Sequence, residues 1–174
     1  MNMIKKTLLL SLIAVFSAGI FAEGTYVLNA ERAMLSTQYA KDTFSKLEQD
    51  SDFIADRERL ELLQAEGQEL VEKFQQDQET MSDQQKLDMQ KKVQDKQNEI
   101  QFLANKLQTK AQEAQQTVIN DLSADFQRIL GELINAKSMD MVLSPQALFY
   151  ADPDLDITDE VTALLDVSLA EKSD

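Results

Sequence analysis

TMSDQQ, residues Thr80–Gln85, is the short stretch on which the reading of this sequence turns. It interrupts a run from about Ala30 to Lys137 that is rich in Gln, Glu, Lys, Leu and Ala. Apolar residues recur there at three- and four-residue steps, and the run reads as helix throughout. Within the hexapeptide, Ser82 is placed to cap a new helix while Gln85 reaches back, a capping-box arrangement. The run therefore divides into two helices of roughly 50 residues joined by a short turn, each some 75 Å long at about 1.5 Å per residue.

An antiparallel hairpin with its turn between Met81 and Ser82 brings together positions whose numbers sum to 163 (81 plus 82). Leu60 then meets Leu103, Leu63 meets Ile100, Leu70 meets Val93 and Phe74 meets Met89, an apolar seam at heptad spacing on both arms. Gly67 faces Lys96, a weak point at which the arms are expected to flex, since a mid-helix glycine costs about 1 kcal/mol relative to alanine. Further along, Leu107, Ala111, Ala114, Val118, Leu122, Phe126, Ile129 and Leu133 recur at about 3.7 residues per step, close to the eleven-residue repeat that unwinds a left-handed supercoil. The arms should part there and enter a different packing environment. Leu62, Val71, Leu87 and Phe102 lie off the seam, with Leu62 and Phe102 adjacent across the hairpin.

Both prolines fall in LSPQALFYADPDLDIT, Leu143–Thr158, which reads as strand and turn. TYVLN near Tyr26, MDMVLS near Met141 and ALFYA around Phe149 are short β-prone runs, so three short strands are expected. Thr158 is expected to cap a last helix running to about Leu169, with Asp159 and Glu160 in its positive first turn. The fold class that follows is mainly α with a small β body, from which a long antiparallel coiled-coil hairpin projects. The body takes residues 23–36 and 135–174, and the arm takes residues 37–134 with its tip near 80–84. Tyr26, Val27, Leu28, Met141, Val142, Leu143, Leu148, Phe149 and Tyr150 are the candidate body residues. So small a sheet leaves its edges bare, and several chains are expected to pool their strands.

The first 22 residues, MNMIKKTLLLSLIAVFSAGIFA, have a basic start at Lys5 and Lys6, an uncharged apolar run and small residues at the end. This is the layout of a secretory signal cleaved after Ala22. A retained anchor is the competing reading, but the uncharged run from Thr7 to Ala22 falls short of the roughly 20 apolar residues a span needs. Cysteine is absent, which excludes a lipid-modified cysteine anchor and any disulfide. Removing two lysines leaves 15 bases against 31 acids, a net charge of −16, which argues against nucleic acid as a main partner. Lys86, Lys91, Lys92 and Lys96 form a locally basic stretch near the tip.

With neither His nor Cys, the commonest general base, metal ligands and nucleophiles are missing. Asp152, Asp154 and Asp156 lack the loop glycine and the bidentate Glu of a calcium loop. No glycine-rich phosphate cradle is present. A non-enzyme without cofactor or metal is expected.

The order of these parts carries a resemblance. An export signal, TYVLNAERAML leading from strand into helix, an arm hairpin, a return through Asp140-Met141-Val142-Leu143 and a closing Asp156-Ile157-Thr158 together resemble the Skp/OmpH family of periplasmic chaperones. The resemblance covers Thr25 to about Leu165. It implies a homotrimer with a β body and three helical arms around a cavity that holds unfolded outer-membrane β-barrel proteins without ATP. The acidity here departs from the strongly basic members of that family and argues against direct binding to lipopolysaccharide or an anionic membrane. Under this reading Leu62, Val71, Leu87 and Phe102, with the lysines from Lys86 to Lys96, are the candidate client contacts. A structural coiled-coil protein that tethers or spaces folded envelope partners shares the same periodicity. Uptake of several unrelated unfolded barrels separates the chaperone from the tether.

Overall fold

The computed structural model describes residues 24–173, so the expected export signal at residues 1–22 lies outside the described residues. The chain is mainly helical, with a two-stranded sheet at one end and a long helical hairpin projecting from it. Its elements are β1 (Thr25–Val27), α1 (Ala30–Leu35), α2 (Gln38–Glu48), α3 (Ser51–Asp77), α4 (Asp83–Lys137), β2 (Met141–Leu143) and α5 (Thr158–Ser173).

The turn forms as its sequence requires. Gln85 N donates to Ser82 Oγ at 3.3 Å, Ser82 N donates to Gln85 Oε1 at 2.8 Å, and α4 begins at the next residue. Beyond it, α3 and α4 run antiparallel. Lys96 pairs with Glu66 at 2.8 Å, Lys106 with Asp56 at 2.7 Å and Lys110 with Asp50 at 3.6 Å. The numbers of these pairs sum to 162, 162 and 160, close to the register read from the apolar seam. Leu63 is buried, and Leu60, Leu70, Phe74, Met89, Val93, Ile100 and Leu103 are half-buried.

The first leg is not the single helix expected from its composition. Thr37 stops α1 and restarts the chain as α2, its hydroxyl accepting from Ala40 N at 3.2 Å and donating to Met34 O at 2.8 Å. Asp50 does the same between α2 and α3, its carboxylate accepting from Phe53 N at 2.9 Å. Side chains that bond their own backbone offer an alternative to continued helix. Composition over a long window averages that local competition away.

Near the body α4 exchanges partners. Val118, Leu122, Ile129 and Leu133 are buried, and with Leu28, Ala33, Met34, Ala40, Val161 and Leu165 they form the core, drawn from α1, α2, α4, α5 and the link between β1 and α1. The lengthened apolar spacing thus coincides with the change of environment, although Ala111 remains exposed.

Strands β1 and β2 pair in parallel, Thr25 with Met141, Tyr26 with Val142 and Val27 with Leu143. Parallel neighbours need a crossover, and here the crossover is the entire hairpin. Gly24, at φ 96°, brings its carbonyl to Asp140 N at 2.7 Å and Met141 N at 2.9 Å. A side chain at residue 24 would collide with Asp140.

The third strand expected around Phe149 does not form. Pro145–Ala147 and Pro153–Leu155 are 3-10 turns, and the residues between them are irregular. The free edge of β1 is occupied instead at Asp156, with Ile157 N donating to Val27 O at 2.9 Å. An apolar run becomes a strand only where an edge is available, and a closer segment of the chain has taken this one. The start of α5 also differs from expectation. Thr158 is its first helical residue, its N–H donates to Asp156 Oδ1 at 2.8 Å, and its hydroxyl accepts from Asn29 N at 3.0 Å. The helix continues past Leu169 to Ser173.

Candidate functional site

The arm carries apolar side chains that its own packing does not use. Leu62, Leu87 and Phe102 are 50%, 60% and 69% exposed, against 1% for Leu63 on the seam. They lie on helices whose interiors are held by backbone hydrogen bonds, so their exposure leaves no buried polar group unpaired. Val71 differs from the sequence expectation. It is half-buried and lines two adjoining hollows between α3 and α4, of about 440 and 460 Å³, together with Val93. Three- and four-residue counting placed Val71 off the seam, but two helices in contact bury a broader stripe than the seam alone.

The basic stretch divides in the same way. Lys91 and Lys92 are exposed, Lys86 is half-buried, and Lys96 turns inward to Glu66 at 2.8 Å with Glu99 at 4.0 Å. The Lys96 ammonium holds the Glu66 carboxyl below its ordinary range. Lys96 is therefore a strut between the arms, and its charge is already matched.

At the body, Val27 and Leu28 are buried in the chain's own core. Tyr26, Val142, Leu143 and Leu148 are half-buried, and the Tyr26 ring lies 5.7 Å from Lys137 Nζ. Met141 is 52% exposed, Tyr150 81%, and Phe149 is fully exposed. Leu148, Phe149 and Tyr150 rim a hollow of about 380 Å³ with Val27 and Pro145. Sequence reading also missed Leu164 and Val167. They are exposed beside Ile129 and Leu133 in a groove of about 310 Å³ between α4 and α5. The run VTALLDVSLA is apolar around much of the helix, which signals more contact surface than its own core consumes.

The last helix is tied down along its length. Arg32 meets Asp159 at 2.7 Å, Gln38 N donates to Asp166 Oδ1 at 2.7 Å, and Lys172 Nζ lies 2.7 Å from both oxygens of Asp125. Among the described residues, no cluster of carboxylates is arranged to hold a metal ion, and no helix is long and apolar enough to cross a membrane.

The family model for OmpH-like outer membrane proteins matches residues 24–165. Among solved structures, a crystal structure of an OmpH-like candidate outer membrane chaperone from Caulobacter crescentus CB15 is similar at 19% identity. That likeness covers 83% of this chain and 85% of the other, with a TM-score of 0.47. No curated protein matches the sequence.

Proposed function

This chain belongs to the OmpH-like outer membrane protein family, and from that premise we propose that it is an ATP-independent holdase chaperone. In this reading it acts in the periplasm as a homotrimer and keeps unfolded outer-membrane proteins in the space between its arms. In this reading residues 23–36 and 135–174 belong to the trimerisation body and residues 37–134 to the arm, whose base packs into the body's core through Ala40, Val118, Leu122, Ile129 and Leu133.

The observation that carries the reading is the exposure of Leu62, Leu87 and Phe102 at two heights along the arm, Leu62 and Phe102 near one another across the hairpin and Leu87 closer to the tip. Such an arrangement suits a client with no fixed shape. Each contact is weak, but contacts from several arms act at high effective concentration, so retention needs no single strong site. The client keeps rearranging while held, and it leaves when folding into the membrane offers a lower free energy. Lys86, Lys91 and Lys92 add positive charge near the tip of an otherwise acidic molecule. The exposed Met141, Phe149 and Tyr150 supply apolar surface for joining three bodies, since a two-stranded sheet is marginal by itself.

The test is light-scattering mass of the mature chain, alone and after dilution of a urea-unfolded outer-membrane barrel into it. A trimer that gains the mass of one client and prevents its aggregation is the expected result. A monomer or dimer that leaves the barrel to precipitate would overturn the proposal.

A further inference from the structure

The hollow nearest the arm tip has an unusual lining. About 460 Å³ in volume, it is bounded by Val71, Phe74 and Val93 and by five glutamines, with no charged side chain. That is a neutral lining in a chain of net charge −14. Two of the five amides are engaged, Gln78 Nε2 donating to Gln75 O at 3.3 Å and Gln94 Nε2 to Asn98 Oδ1 at 3.1 Å. The side-chain amides of Gln75, Gln90 and Gln97 have no partner among the described residues. The adjoining hollow shares Val71, Gln75, Val93 and Gln97 and continues the groove past Gly67, where it also meets Glu72, which accepts from Gln68 Nε2 at 3.0 Å, and Lys96, which is paired with Glu66 at 2.8 Å.

We propose that this groove binds extended polypeptide through its backbone, with Gln75, Gln90 and Gln97 as the hydrogen-bonding residues. The inference rests on the holdase reading and names what the arm recognises. A carboxamide presents a donor and an acceptor side by side, as a peptide unit does. An unfolded chain exposes peptide units whatever its sequence, and main-chain pairing of this kind gives affinity without selecting residues. A charged lining would sort clients by charge. A wholly apolar lining would bury peptide groups unpaired, at a cost. Amides beside Val71, Phe74 and Val93 satisfy the backbone and still offer contact to apolar side chains.

The test uses two short neutral peptides of alternating Val and Thr with capped ends and a neutral fluorophore, one of them N-methylated at alternate backbone amides. Binding to the full mature chain is read by anisotropy, and the experiment is repeated with Gln75→Met, Gln90→Met and Gln97→Met combined, which keeps side-chain length and helix propensity. The methylated peptide should bind about tenfold more weakly to the unaltered protein. The variant should lose a similar factor for the unmethylated peptide and no more for the methylated one. Equal binding of the two peptides by the unaltered protein would overturn the proposal, and that comparison stands even where the variant fails to fold. A variant that keeps the discrimination would overturn it too. So would a variant that changes the light-scattering mass without changing discrimination, because the groove would then be a contact between copies. An unfolded barrel is assayed in parallel. Protection of the barrel without peptide discrimination removes the groove and leaves the holdase, whereas discrimination without protection does the reverse.

Discussion

Asp125 shows how much a single residue contributes to the base of the arm. It is the one charged side chain buried among the described residues, and it sits on α4 beneath the end of α5. Lys172 holds both of its oxygens at 2.7 Å, and Arg128 approaches at 3.4 Å while donating to Ser168 Oγ at 2.6 Å. The hydrogen bond from Lys172, aided by its charge, keeps the carboxyl below its ordinary value of 3.8 against the opposing effect of burial. A carboxyl lowered in the folded state adds stability that is present above the unfolded value and is lost as pH falls through the folded one. Asp125→Asn should therefore cost about 1–2 kcal/mol at neutral pH. The difference from the unaltered protein should vanish in urea melts well below pH 3.8. A cost that is the same at both pH values would mean that shape, not charge, holds α5.

At the level of elements, two glycines in the long helices make a natural comparison. A methyl added at Gly131 in α4 would meet nothing within 4 Å, whereas one at Gly67 in α3 would come within 3.3 Å of Ile100 Cδ1 and Lys96 Cγ. Gly131→Ala should stabilise the protein by about 1 kcal/mol through helix propensity alone. Gly67→Ala should gain less, because both neighbours must yield. Equal gains in urea denaturation would show that the arms stand further apart at that height. Much of this architecture was legible in the sequence, because Ser82 and Gln85 act locally and the seam from Leu60 to Leu103 repeats often enough to fix a register. The breaks at Thr37 and Asp50 escaped notice because each depends on one side chain within strongly helix-forming surroundings. The misplaced strand at Phe149 shows the opposite limitation. Its residues favour a strand, but whether an edge is free depends on where Asp156 lands, which sequence does not reveal. The lining of the groove near the arm tip was hidden for a similar reason, since Gln75 and Gln90 come to line one hollow only when the hairpin closes.

For the whole molecule, the division between residues that hold the hairpin and residues that face outward makes a further prediction. Replacing both Leu62 and Phe102 with Ser removes exposed apolar surface without touching Leu63 or the core around Leu122. The circular dichroism melt should stay nearly unchanged, and the rate at which an unfolded barrel escapes should rise several-fold. A collapse of the melt would assign the pair to structural packing. The parallel pairing of β1 with β2 has a consequence in time. One strand lies at residues 25–27 and its partner at 141–143, so the amino-terminal strand emerges from synthesis or export long before anything exists for it to pair with. Joining such distant segments directly carries a large loop-closure penalty, and the hairpin removes most of it by folding on local contacts and delivering Met141 back to Gly24. The arm must then assemble before the base does, and no copy can offer a finished base to another until its own carboxyl-terminal segment has arrived.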